Sequence, residues 1–463
     1  MDAPPAARLD GLNERFAQLV FALFKERGSR QSTARRLQLT IFTSLLILGA
    51  NVVSGVVIAR ALGPTGRGIV TSALLYGPLI AAIGGLGISE ALVYQSGRTK
   101  ETSSAALATA LAIGAVQSLV LIVMGLALVP VLVGASSAAV LPPALGYLAI
   151  IPLVPLSQYP LATLQGRLRI VEFNLVRATV PVLYTVILLI LWLLGHMSVV
   201  AALTTSLVCS GVACAMAIVF AGGFSSYRPS LRIARDLLGF GLRSHGGNLA
   251  NIVVAQLDLL LLTAMVPSRD VGYYAVATSA AMAASLLPAA ASLVLFPTFA
   301  NQPVEATARA LTRFLLWGLG GALLLLPGLV VALPWAIAPI YGSGFAIAAP
   351  ICLILVPGYL LRGTSGMLVA VLRGTGTPMR ASAGQIAGLI LLAGLLSIGI
   401  SLRGLIGAAV AVTASALLTS AWLLVAAFRH IGPSRKEALL VWSADLALFW
   451  SWIHRRLPVG GPH

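Results

Sequence analysis

Acidic side chains are scarce here: 13 aspartates and glutamates stand against 30 lysines and arginines in 463 residues, and charged residues of both signs make up only 9%. Cysteine is scarcer still. Cys209, Cys214 and Cys352 all fall in apolar runs without metal-ligand spacing, so they read as small buried hydrophobes, and neither a disulfide framework nor a metal site is implied. The sequence holds no P-loop and no paired metal-ligand motif. It also has no extramembrane stretch long enough for a nucleotide-binding or glycosyltransferase domain. ATP-driven transport and enzyme chemistry are therefore not expected, and neither is a bound cofactor. What the chain has in abundance is apolar sequence. Hydrophobic residues make up 59% and mean hydropathy is +0.98, the values of a polytopic membrane protein. The 46 glycines and 25 prolines suit membrane helices, whose freed backbone groups are re-satisfied by neighbours and water.

The formal charge of +17 would suggest nucleic acid in a soluble chain, but its distribution points to topology instead. Basic residues gather in alternate loops. Arg98 with Lys100, Arg167 with Arg169, then Arg228, Arg232 and Arg235, then Arg309 with Arg313, and Arg373 with Arg380 fall on one side. With both termini, Arg177 and Arg243, that side holds about 25 of the 30 basic residues, which makes it cytoplasmic by the positive-inside rule. The opposite loops offer Arg67, Arg269 and Arg403. A bacterial cytoplasmic (inner) membrane protein with both termini inside is expected, with no nucleic-acid partner.

Residues 1–38 do not read as a cleavable signal, because the apolar run around Leu19 is short and flanked by charge. Leu9, Leu12, Phe16, Leu19 and Leu23 recur at helical spacing, predicting an amphipathic cytoplasmic segment on the headgroups. Spans follow near 39–62, 68–93, 104–130, 139–165, 173–194 and 198–221, an N-lobe of six. A basic linker over 222–237 precedes a C-lobe over 238–428, with spans near 238–266, 271–298, 308–333, 345–371, 379–402 and 404–428. The tail 429–463 carries Trp442, Trp450 and Trp452, which suit an interfacial helix. The fold class is thus all-α integral membrane, with about 12 transmembrane helices in two parallel six-helix repeats around a central cavity. The repeat shows in matched turns, 62–68 against 266–272, roughly 205 positions apart. At that offset Gly84-Gly85 meets Pro288, and Pro152 with Pro155 meets Pro357. Helices interrupted at matching places point to a transport site.

Several polar groups inside spans are candidates. On 238–266, His245, Asn248, Asn251 and Asp258 fall within an arc of roughly 140° at 100° per residue. On 39–62, Thr40, Thr43, Ser44, Asn51, Ser54 and Gly55 cluster likewise, so these two helices are expected to line one hydrated cavity. An ionised aspartate at a span's centre costs about 2.5–3.5 kcal/mol on insertion scales, so Asp258 needs an arginine, a coupling cation or proton, or water. Arg362 lies too deep to snorkel, about 15 Å of helix from the nearest basic loop. It reads as an anion-binding cavity residue or the partner of Asp258 or Glu90. Arg60, Arg177, Arg243 and Glu90 lie near helix ends, where they either reach headgroups or contact substrate. His245 reads as a polar cavity or interface residue. The asparagines suit sugar hydroxyls or helix-helix hydrogen bonds equally.

Ile58-Ala59-Arg60-Ala61-Leu62-Gly63-Pro64 with Gly68, Leu257-Asp258 followed by Val271-Gly272-Tyr273-Tyr274, Leu295-Phe296-Pro297, and Gly404-Leu405-Ile406-Gly407-Ala408-Ala409 carry a resemblance. Over about 39–428 the chain resembles the polysaccharide-type lipid-linked oligosaccharide flippases (O-antigen and exopolysaccharide) of the multidrug/oligosaccharidyl-lipid/polysaccharide exporter superfamily. The resemblance implies two six-helix lobes around a cavity that opens alternately to either side. It also implies a polyprenyl-diphosphate-linked glycan as substrate, in the bilayer, with a polysaccharide polymerase or export machinery as partner. Related lipid II flippases carry an Arg-Asp pair in the first span. Here that region reads Asn51-Val52-Val53-Ser54, which disfavours lipid II. A cation-coupled drug exporter of the same superfamily is the alternative, and the residues leave coupling to an H+ or Na+ gradient open. A membrane polymerase or acyltransferase is disfavoured by the short outer loops.

The charge asymmetry makes a topological prediction. In a cysteine-free background, Arg269→Cys is labelled by an impermeant maleimide in intact spheroplasts. Arg98→Cys is labelled only after permeabilisation, and the reverse pattern would invert the topology.

Overall fold

The computed structural model describes residues 33–97, 100–223, 228–285, 320–375 and 377–431. The amphipathic segment within 1–32, the tryptophan-bearing tail from 432, Pro288, the Leu295-Phe296-Pro297 stretch and Arg309 with Arg313 lie outside them. Among the described residues every regular element is helical. Helix α1 (Thr33–Gly84) is broken at Gly63 into arms α1a (33–62) and α1b (64–84). There follow α2 (Ile88–Ser96), α3 (Lys100–Leu132), α4 (Leu141–Tyr147), α5 (Leu153–Gly166), α6 (Ile170–Leu193), α7 (Val199–Ala221), α8 (Leu231–Met265) and α9 (Ser268–Ala281). After the undescribed stretch come α10 (Gly320–Tyr341), α11 (Ala348–Gly374) and α12 (Pro378–Ile431), the last broken at Arg403-Gly404.

Two compact units result, one ending at Gly272 and one starting at Tyr273. In the first, α1 packs on α6, α5 on α7, and α8 against α1, α2 and α3. Tyr76, Leu121, Tyr147 and Ile151 form one apolar core there, and Ile88, Leu92, Ala110 and Tyr159 another. In the second, α11 packs along both arms of α12 around Leu368, Leu372 and Leu423. The contacts thus group α8 with the first unit. The packing boundary falls at Gly272, whereas the reading of charge put a boundary at the 222–237 linker.

The structure redraws several expected boundaries. The turn expected over 62–68 shrinks to Gly63, whose φ of 66° is open to a residue without Cβ, and Pro64 starts the next arm with its fixed φ. Arg67, counted above with the outer loops, therefore sits in the first turn of α1b. The second span, expected over 68–93, ends as α1b at Gly84, and Leu86 and Gly87 turn the chain with φ of 50° and 70° before α2. The fourth bends by 41° between a segment ending at Ile150 and α5, beside Pro152. The expected linker is helical from Leu231, so Arg232 and Arg235 stand on the first turns of α8, exposed and compatible with helix.

Arg167 and Arg169 join helix ends. The Arg167 guanidinium donates to Ser103 Oγ at 2.9 Å, Ser104 Oγ at 3.1 Å and the Ala221 carbonyl at 2.8 Å. Arg169 donates to the Phe220 carbonyl and pairs with Glu172 at 2.9 Å. Two cations thus cap the C-terminus of α7, where the helix dipole is negative. Burial and the neighbouring Arg169 lower the Arg167 pKa, although an arginine remains charged at neutral pH.

The matched turns meet each other. A Cβ on Gly68 would overlap the Ser268 carbonyl, and one on Gly272 would overlap that of Pro64. These contacts interchange under the repeat offset, which is the reciprocity of a local two-fold. Gly68→Val or Gly272→Val should cost about 1–3 kcal/mol or more through backbone overlap. Gly49→Ala, inside the helix with nothing within 4 Å, should be neutral or stabilise by up to about 1 kcal/mol. Thermal unfolding in detergent distinguishes them, and a Gly68→Val protein as stable as the parent would refute the contact.

Candidate functional site

The break between α1b and α2 builds the site. A helix that stops inside a membrane leaves terminal carbonyls unpaired, and lipid cannot satisfy them. His245 Nε2 donates to the Ile83 carbonyl at 2.9 Å, and Gln117 Nε2 donates to that of Gly84. Gln117 is held in turn, because its Oε1 accepts from Tyr159 Oη at 2.8 Å. His245 arrives there because α8 crosses the break at Gly241, one turn earlier. A Cβ on Gly87 would overlap the Gly241 carbonyl, so two glycines permit the approach.

Around this junction lies a cavity of about 420 Å³ lined by Gly85, Gly87, Ser89, Glu90, Gln117, Ser118, Gln158, Tyr159 and His245. Glu90 stands in the first turn of α2, where the dipole favours a carboxylate. A second cavity of about 410 Å³ shares Pro78, Ala82 and Ile252 with the first and adds Arg67, Thr71 and Gln256. The Arg67 guanidinium lies against α1a at Gly55, where an added Cβ would be in ordinary contact with Nη2 at 3.5 Å. From Arg67 to Gly84 along α1b is about 26 Å at helical rise. Polar groups therefore stand at the two ends of a path about as deep as a hydrocarbon core, a cation at one and a carboxylate and an imidazole at the other, with Leu74, Pro78, Leu79 and Ile252 walling the stretch between them. Such end groups replace hydration for a charged or hydroxyl-rich group.

Of the residues singled out in the sequence, Glu90 and His245 meet in the first cavity. Asn51 and Asp258 line neither cavity. Asn51 is exposed on α1a, and its carbonyl accepts from Ser54 Oγ at 3.0 Å. Asp258 is 2% exposed, and its Oδ1 accepts from the Leu259 N–H at 3.0 Å. The polar side of α1a serves helix packing, with Asn174 donating to Thr40 Oγ1 at 3.1 Å and Thr185 to the Ala50 carbonyl at 2.8 Å. The cavity face of α8 is His245, Ile252, Gln256 and Leu259. It passes through Gln256, two positions and about 200° round the helix from Asp258.

Arg177 donates to Asn174 Oδ1 at 3.4 Å and lies over the Phe173 ring at 5.3 Å. Arg243 is exposed and donates to the Gly239 carbonyl at 2.9 Å, and Arg60 is exposed on α1a. In the second unit the Arg362 guanidinium lies 5.6 Å from the Tyr359 ring centroid. The side chains of Asn248 and Asn251 lie outside the described residues. Arg67, Gln117, Gln158, Tyr159 and Gln256 were missed in the sequence. Spacings of seven, four and three from His245 through Gln256 to Leu259 were the signal for Gln256. Among the described residues no cluster of histidine, cysteine and carboxylates could hold a metal.

Residues 37–302 match the family described as polysaccharide biosynthesis protein. The chain belongs to that family. No curated protein sequence matches the chain. Solved structures similar to this family member include the lipid II flippase MurJ in an inward closed conformation, with a TM-score of 0.65 and 14% identity over 91% of this chain and 94% of that one. An inward-facing MATE multidrug resistance transporter of the MOP superfamily gives 0.64 at 16%, covering 84% and 94%. The MATE multidrug transporter DinF-BH gives 0.62 at 15%, covering 87% and 97%. At such identities the likeness establishes the fold, that of MOP superfamily transporters.

The capping at the break is testable. His245→Ala and Gln117→Leu should each destabilise the protein by about 1–3 kcal/mol by orphaning a buried carbonyl, and His245→Gln should lose less. Thermal unfolding in detergent reads the difference, and equal loss in His245→Ala and His245→Gln would show that the donor is immaterial.

Proposed function

We propose that this protein is a flippase that moves a polyprenyl-diphosphate-linked oligosaccharide across a bacterial cytoplasmic membrane by alternating access, for surface polysaccharide export. The observation that carries this reading is the pair of adjoining cavities that present Arg67 at one end and Glu90 with His245 at the other, inside a member of the polysaccharide biosynthesis family. A diphosphate and glycan leaving water need a cation and hydrogen-bonding groups in its place, whereas the hydrocarbon chain needs none. Arg67 meets the diphosphate, and Gln117, Gln158, Gln256 and Tyr159 meet sugar hydroxyls. Arg60, Arg177, Arg243, Asn248, Asn251 and Arg362 are proposed as further contacts of the substrate on its way across the membrane, whereas Asn51 and Asp258, which line neither cavity, are given no such contact. The cavities open alternately to either side of the membrane, with both termini cytoplasmic, alongside a polysaccharide polymerase or export machinery.

A cation-coupled small-molecule exporter is the second reading, favoured by Glu90 and His245 facing one cavity in a fold shared with MATE transporters. In that reading an H+ or Na+ gradient drives the cycle through the carboxylate.

Reconstituted vesicles decide between them. With a fluorescent lipid-linked oligosaccharide, the parent protein should translocate the probe. Arg67→Ala should slow it by about tenfold or more, the loss of one charge-assisted contact, with insertion unchanged. No translocation by the parent, together with ion-dependent efflux of an organic cation that Glu90→Gln abolishes, would overturn the flippase in favour of the exporter.

A further inference from the structure

A third cavity of the first unit is of a different kind. It has a volume of about 740 Å³ and is a groove between α1b, α3 and the start of α8, almost wholly apolar in its lining. Its long wall is one stripe of α3 running from Thr109 to Leu128, about 28 Å at helical rise. Val116, Val120 and Met124 on that stripe are 68%, 53% and 46% exposed. At the α8 end it is closed by Pro229, Ser230, Leu231 and Ala234, and the Ser230 N–H is pinned to Thr109 Oγ1 at 3.2 Å. Arg228, Arg232 and Arg235 alternate with those lining residues and are exposed. Asp236 is the one carboxylate among residues 228–238, so this end carries a net charge of two positives.

The groove also touches the polar site. Gln117 and Leu121 line both the groove and the cavity that holds Glu90 and His245, so one layer of side chains separates them. That layer is latched by the bonds of Gln117 to the Gly84 carbonyl and Tyr159.

The geometry points to a binding site for the polyprenyl chain of the lipid-linked glycan, with the diphosphate held by Arg228, Arg232 and Arg235. Length selects this occupant. An ordinary acyl chain reaches about half of the roughly 30 Å hydrocarbon core, whereas this groove runs nearly all of it. Its arginine end supplies the charge that a diphosphate requires and a neutral lipid does not. The site stands beside the first cavity, so substrate waits with its headgroup at the arginine end and its chain seated in the groove, one side-chain layer from the translocation path. This inference rests on the flippase reading for the identity of the lipid, but its test is separate.

The experiment uses the full-length protein in zwitterionic vesicles with undecaprenyl diphosphate bearing a diazirine on its chain. Photolabel should map to α3 between residues 109 and 128. Unlabelled undecaprenyl diphosphate should compete, and dioleoylphosphatidylglycerol should not. Val120→Trp should cut labelling about tenfold, whereas Val208→Trp, on α7 and 59% exposed, should leave it unchanged. Replacing Arg228, Arg232 and Arg235 by Gln should remove the salt dependence of diphosphate competition and spare competition by undecaprenol. Even labelling of all lipid-facing helices, equal competition by phosphatidylglycerol, or labelling indifferent to Val120→Trp would overturn the groove. Translocation without groove labelling removes the groove and leaves the flippase. Groove labelling without translocation does the opposite.

Discussion

A backbone carbonyl inside a hydrocarbon core has no water to turn to, and the first unit is arranged around two such groups, those of Ile83 and Gly84. Ending α1b there frees them, and α3 and α8 each supply a donor, Gln117 and His245. That requirement brings together helices far apart in sequence. It explains why a glycine stands at the crossing of α8, and why Gln117, Tyr159 and His245 meet at one junction. The break, the cavity and the apolar groove beside it are consequences of one interrupted helix.

The same economy of charge runs through the rest of the structure. Several cations of the described residues are placed where backbone or aromatic groups receive them. Arg167 and Arg169 close the end of α7, Arg362 lies over Tyr359, and Arg177 over Phe173. A chain with 13 acids cannot pair 30 bases in salt bridges, so carbonyls, ring faces and, at the membrane surface, headgroup phosphates take their place.

Much of the architecture was legible in the order of residues alone. Apolar runs of about 20 residues marked the spans, and Gly84-Gly85 and Pro152 marked two interruptions that the structure contains. The glycine-bearing turns were recognised as mates, and their reciprocal contact through Gly68 and Gly272 follows from that kinship. The site was half legible. His245 and Glu90 stood out as charged or titratable groups in apolar surroundings. Arg67 was hidden because a turn expected to hold it collapsed to Gly63. Gln117, Gln158 and Gln256 were hidden because an uncharged amide in a span is as common in helix packing as in a cavity.

By itself the sequence determined that this is a helical membrane protein of two related sets of spans, because hydropathy, charge asymmetry and internal repetition are properties of order along the chain. Which face of each helix meets a cavity was decided only by tertiary structure. A shift of two residues turns a helix by about 200°, so the choice between Asp258 and Gln256 depends on how α8 is rotated against its neighbours. That rotation is set by the contact of Gly241 with Gly87, a close approach that no local pattern of residues announces.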